Sequence, residues 1–208
     1  MTVPGRVEAA TLLRSLDPPD WFLRHARAVA EVAAWLAARM AGRGIGLDRR
    51  MVEAAALLHD VDKALPPGDP LRRLAHGQGS AAWLIERGHP ELAPAVAVHP
   101  APRLLDGEWF EAWLPSATHE DRIVAYADKR AGQRLESMDA RFASWRRRHP
   151  PVAPRDPSGA WDEATLRAVR ERADRLEAAV CAAAGIAPDE VRRLAWTGRA
   201  LRDAIVVA

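Results

Sequence analysis

His59 and Asp60 stand side by side in the run Ala55–Lys63, AALLHDVDK, where an otherwise apolar segment delivers two metal-ligand side chains at adjacent positions. A buried carboxylate beside an imidazole is destabilising by several kcal/mol unless something offsets it, and a divalent cation offsets both groups at once. His25, His76, His99 and Asp128 are further candidates for such a site, and each belongs to its own expected helix. Imidazole and carboxylate without thiolate suit Fe, Mn, Co, Ni or Zn. The single cysteine, Cys181, excludes an internal disulfide framework and a thiolate cluster within one chain.

Helical spacing dominates the chain, and no alternating strand pattern with hairpin turns competes with it, so the expected fold class is all-α. A short helix near 5–16 precedes the Asp17-Pro18-Pro19-Asp20 turn, which opens a long helix to about Met40, closed by Gly42 and Gly44. Asp48 caps a helix over 49–62, stopped by Pro66-Pro67-Gly68; further helices are expected near 70–87, with a break available at Gly77 and Gly79, then over 91–99 and 119–147. Between the last two lies an insertion with Pro100, Pro102, Pro115, Trp109 and Trp113.

The polar candidates fall on the apolar faces of these helices. Phe22, His25, Val29, Val32 and Leu36 share one face, as do Val52, Ala55 and His59, and as do Leu92, Ala95 or Val96, and His99. Val124, Asp128, Ala131, Leu135, Met138, Phe142 and Trp145 form a stripe in which Asp128 is the only charge. Any one of these would by itself read as a hydrogen-bonded core residue. Four helices aiming ligands into one core favour a shared metal, because a buried Asp is strongly disfavoured without partners.

The composition is that of a globular protein: 208 residues, 49% hydrophobic and 28% charged. A formal charge of +2 gives no pull toward nucleic acid or membrane. With no signal-peptide pattern at the start and no apolar run of spanning length, a cytoplasmic protein is expected. The expected organisation is a metal-binding helical domain over 1–148, a proline-rich linker over 149–160, and a helical extension over 161–208 with helices near 161–184 and 188–205. The extension packs on the core or makes a homodimer.

In this order, His25, then His59-Asp60, then His76, His99 and Asp128, the chain resembles the HD superfamily of metal-dependent phosphohydrolases over about residues 20–145. It is most similar to the small bacterial HD hydrolases that include the symmetrical diadenosine tetraphosphatases. His59-Asp-x-x-Lys63, Leu74-x-His76-Gly77 and Ala127-Asp128 carry that likeness. It implies an HD-domain helical bundle in which His25, His59, Asp60 and Asp128 hold one ion and His76 and His99 a second, with Asp60 bridging. One or two divalent ions are implied, iron or manganese favoured over Zn, Co, Ni or Mg. Three features depart from the pattern: Pro100 follows His99, Asp62 stands where a small residue is common, and the insertion before Asp128 is long.

The implied reaction is hydrolysis of a small phosphorylated substrate, a nucleotide or another phosphate ester, by metal-activated water. Asp60, Lys63 and Arg130 are the expected catalytic residues, the two cations contacting phosphate oxygens. Lys63 has pairing with Asp62 as its alternative; Asp62 itself is expected to orient a ligand or to hold Lys63. Trp109 and Trp113 either anchor the insertion, the preferred reading, or form a lid on which a base stacks. The rival functions are a di-iron oxygenase on the same scaffold and a non-catalytic nucleotide-binding regulator.

Overall fold

The computed structural model describes residues 3–154 and 160–204, and its architecture is all-α, as the helical spacing predicts. Helix α1 (Arg6–Arg14) leads to α2 (Asp20–Gly42), which has buried positions from Phe22 to Met40 and forms the spine of the molecule. Helix α3 (Arg49–Leu58) begins where the Asp48 carboxylate accepts from the Arg50 and Met51 amides. Then come α4 (Gln78–Glu86), α5 (Ala93–Val98), α6 (Gly107–Ser116) and α7 (His119–Arg130). Helix α8 (Met138–Arg148), α9 (Glu163–Ala184) and α10 (Thr197–Asp203) complete the set. Helices α3, α7, α9 and α10 all pack on α2, and α5 closes on α3 and α7. Among the described residues there is no strand beyond two isolated bridges, Ala131 with Leu135 and Val152 with Asp162.

Two helices end earlier than their periodicity suggests, and both breaks shape the site. Helix α3 stops at Leu58 rather than running to 62, because the Asp62 amide donates to the Ser80 hydroxyl (3.0 Å) instead of continuing the ladder. The expected single helix over 119–147 is two helices. After Arg130 the chain reverses through Gly132, the Glu136 amide returns to the Arg130 carbonyl (2.7 Å), and the Ser137 hydroxyl caps α8. The expected helix over 70–87 also divides, into a 3-10 turn at Pro70–Arg73 and α4. The insertion contains α6, and the segment after Pro188 is helical only in a short turn and α10.

The C-terminal helices share the core with the rest of the chain. Val169, Leu176, Val180, Val191 and Trp196 belong to the same buried cluster as Val29, Leu36 and Ile123. Of the proline-rich segment, 155–159 lie outside the described residues; the last helix, expected to reach 205, ends at Asp203, and 205–208 also lie outside them. Among the described residues no helix is long and apolar enough to cross a membrane.

Glu31, in the middle of α2, ties the tail to the core. Its carboxylate is 1% exposed and accepts from the Arg193 guanidinium, from Thr197 Oγ1 (2.6 Å) and from Arg27 Nε (3.1 Å). Glu31→Ala leaves the fully buried Thr197 hydroxyl and a guanidinium without their acceptor. The expected loss is about 2–3 kcal/mol, moderated because Arg193 is partly solvated. Urea unfolding should register it, and an unchanged midpoint would contradict this account.

Candidate metal centre

Four histidines approach one another from four elements. His25 comes from α2, His59 from the residue after α3, His76 from the turn before α4, and His99 from the residue after α5. Their Nε2 atoms form a chain of close contacts, His25 to His59 at 3.2 Å and His76 to His99 at 3.3 Å. Asp60 lies between the pairs. Its Oδ2 is 3.3 Å from His25 Nε2 and 3.6 Å from His59 Nε2, while its Oδ1 is 3.0 Å from His76 Nε2 and 3.2 Å from His99 Nε2. Asp128, on α7, adds Oδ1 at 3.5 Å from His25 Nε2 and 3.8 Å from His59 Nε2.

The other ring nitrogens fix the tautomers. Nδ1 of His25, His59 and His99 contacts the carbonyls of Gly132 (2.7 Å), Ala56 (2.8 Å) and Val96 (2.6 Å). A carbonyl can only accept, so each Nδ1 carries the proton. In a neutral ring each Nε2 then presents a lone pair toward its neighbours. His76 Nδ1 donates to Asp62 Oδ2 (2.9 Å), the arrangement that aims an imidazole at a cation and raises its basicity. Lone pairs this close oppose one another unless a positive centre lies among them. The donor set therefore fits a divalent metal, and three groups, His25/His59/Asp128, His59/Asp60/His99 and Asp60/Asp62/His76, have ligand atoms within 4.8 Å of one another.

Electrostatics agree with this crowding. Burial lowers the His59 imidazole to about 3 and also lowers His99, despite the nearby carboxylates. For His76, burial also acts to lower basicity but is outweighed by Asp60 and Asp62, which lift it to about 9; Asp60 and Asp128 likewise raise His25. Burial would raise both acids, yet the imidazoles hold Asp60 well below the usual carboxylate range, and Lys129 with the imidazoles does so for Asp128.

Local sequence explains how these side chains arrive. The early end of α3 leaves Asp60 outside regular helix and swings Asp62 toward His76. Gly77 takes φ +85° and donates its amide to Asp62 Oδ2 (3.0 Å); a Cβ there would lie 2.7 Å from Pro100 Cγ. Pro100, a departure at the sequence level, thus packs directly on the turn that carries His76. The break after α7 turns the Gly132 carbonyl onto His25. Lys129, buried at the end of α7, donates to the His99 carbonyl (2.6 Å), and burial lowers its amine to about 8 against the pull of Asp128.

Two sequence expectations change, and for the paired tryptophans the preferred reading holds. Arg130 does not face the site: its guanidinium is buried and donates to Tyr126 Oη (2.5 Å), Glu177 Oε1 (3.1 Å) and the carbonyls of Glu136 (2.8 Å) and Pro188 (2.9 Å). Its Nε and Nη1 are committed to these acceptors, and the residue does not line the cavity. Lys63 lines the cavity but pairs with Asp60 Oδ2 (2.8 Å) instead of Asp62. Trp109 and Trp113 stack on each other 5.0 Å apart against the core and do not line the cavity, so they anchor the insertion and form no lid. The cavity beside the His/Asp cluster, about 820 Å³, has Trp21, Arg141, Phe142, Trp145 and Arg148 in its wall. Phe142 and Trp145, expected in a core stripe, thus face the cavity, and Trp21, Arg141 and Arg148 join them without a signal in the helical spacing.

The HD domain family model matches residues 22–132, a span that begins just before His25 and ends just after Asp128. The chain belongs to the HD domain family. An uncharacterized protein of Methanocaldococcus jannaschii is 30% identical to this HD-domain chain over 127 residues, 58% of this chain and 72% of the relative. No solved structure gives a significant match. HD-domain proteins are mostly metal-dependent phosphohydrolases, and this member has the family fold and His/Asp groups able to hold a divalent metal.

Asp62 is testable as the group that orients His76. Asp62→Ala should weaken metal binding roughly 10- to 100-fold in a metal titration. Asp62→Asn, which keeps an acceptor oxygen, should recover much of it. Equal affinity in the alanine variant would assign Asp62 to folding alone.

Proposed function

We propose that this protein is a divalent-metal-dependent phosphohydrolase acting on a nucleotide or other small phosphate ester. The observation that carries the reading is the split carboxylate of Asp60, one oxygen toward His25 and His59 and the other toward His76 and His99, all four imidazoles carrying their proton on Nδ1. In this reading His25, His59, Asp60 and Asp128 hold one ion and His76, His99 and Asp60 a second. The nitrogen and oxygen donors suit Fe, Mn, Co, Ni or Zn, and the likeness to the dinuclear HD hydrolases favours iron or manganese among them. Bound there, the metal supplies an acidified water and neutralises phosphate charge.

The chain's own groups do the positioning. Lys63, exposed at the cavity edge beside Asp60, offers an ammonium to a phosphate oxygen once substrate displaces its carboxylate partner. Lys129 holds the end of α5 and thereby His99, while Asp62 and Gly132 fix the rings of His76 and His25. These contacts hold the ligand atoms in place before any substrate enters.

Elemental analysis of protein purified without a metal-binding tag, followed by phosphate release from a nucleotide panel with Fe, Mn, Co, Ni, Zn or Mg, tests the reading. About two equivalents of metal with metal-dependent release is the expected result. No bound metal after reconstitution and no release with any ion would overturn it.

A further inference from the structure

The HD match ends at residue 132, but the cavity wall does not. Helix α8 supplies Arg141, Phe142, Ser144, Trp145 and Arg148 to that wall. Arg141, Trp145 and Arg148 follow i, i+4, i+7 spacing, one helical face about 10 Å long at 1.5 Å per residue. The inner end of this face reaches the metal centre: Arg141 Nη2 lies 3.9 Å from Asp128 Oδ1. The outer end, Arg148, is exposed.

The back of α8 is held by α9 and the strap before it. Arg170 donates to Asp139 (2.7 Å), Arg146 pairs with Glu163, and the Trp145 ring stands edge-on to Trp161 at 4.4 Å. Trp145 is therefore fixed in orientation while still half-buried at the cavity. Outside the proposed metal ligands and the carbonyl-bound Lys129, the lining carries Lys63, Arg134, Arg141 and Arg148 against Glu136 alone. One phosphate group does not need four cations, and an isolated phosphate would leave most of an 820 Å³ cavity empty.

We propose that α8 is the substrate-selecting wall of this site, with Arg141 binding phosphate oxygens beside the metal centre, Trp145 stacking a nucleobase one turn farther out, and a nucleoside polyphosphate as the substrate class. The inference rests on the hydrolase reading for the reaction but not for the binding. Stacking on a fixed indole is tolerant of base identity, and a guanidinium matches phosphate geometry with two parallel donors.

Equilibrium dialysis of radiolabelled α,β-methylene-ADP, AMP and orthophosphate against the metal-replete full chain tests it. The methylene diphosphate should bind at least about fivefold tighter than AMP and tighter still than orthophosphate. Trp145→Ala should weaken nucleotide binding roughly tenfold and leave orthophosphate unchanged. Arg141→Ala should weaken all three by about tenfold. Trp145→Phe should restore most of the nucleotide affinity, and orthophosphate binding, which a general packing defect would weaken as well, should stay constant across both variants. A methylene diphosphate bound no better than orthophosphate, or a Trp145→Ala loss equal for both ligands, would overturn the proposal. Hydrolysis of p-nitrophenyl phosphate, compared with an Asp60→Ala control, reads the reaction separately. Turnover with unaltered binding in the α8 variants removes the wall and keeps the hydrolase; the expected binding pattern without turnover does the reverse.

Discussion

Asp60→Ala is expected to abolish metal retention and to lower phosphate release on the order of a thousandfold or more. The size of the effect follows from its position. Asp60 is 2% exposed, and among the described residues its two oxygens are the only carboxylate atoms that between them reach all four Nε2 atoms of the cluster. Removing it also takes away the carboxylate charge that lies between the two histidine pairs and would offset a cation there. Metal content per chain and turnover should fall together. Asp128→Ala should behave differently, because Asp128 approaches only His25 and His59; about one equivalent of metal should persist at His76, His99 and Asp60. If Asp60→Ala kept its full metal content, the bridging arrangement would be wrong.

Arg130→Ala should destabilise the fold by about 4 kcal/mol while leaving substrate affinity nearly unchanged in the folded fraction. Its guanidinium joins α7 to α9 through Tyr126 and Glu177 and reaches the Pro188 carbonyl at the start of the tail. Truncation leaves a buried phenol, a carboxylate and two carbonyls short of a donor at once. For a chain of this size the midpoint of thermal unfolding should drop by roughly 8–16 °C. A variant with native melting but weakened phosphate binding would return Arg130 to the site.

Arg130 and Arg141 illustrate how far local pattern reaches. Arg130 follows Asp128 by two positions, about 200° round a helix, so a helix that carries Asp128 inward carries Arg130 to another side. Closeness in sequence to a candidate ligand is therefore not closeness in space, and the helical spacing itself argues against Arg130 in the site. Arg141 could not be placed this way. Its direction depends on the reversal through Gly132 and the new start at Ser137, and the unbroken stripe through Phe142 and Trp145 hid that reversal.

By itself, the order of residues determined that this chain is helical and that His25, His59, His99 and Asp128 turn toward a shared interior, because side-chain direction repeats every 3.6 residues and apolar neighbours mark the buried face. It also set the capping residue Asp48 that begins α3. Tertiary structure alone decided where α3 ends, since the Asp62 amide is taken by Ser80, eighteen positions away, in preference to its own helix. It likewise decided that Asp62 serves His76, that Gly132 serves His25, and that α8 walls the cavity. Each of these depends on a hydrogen bond or packing contact between segments distant in the chain, and such contacts leave no period in the sequence.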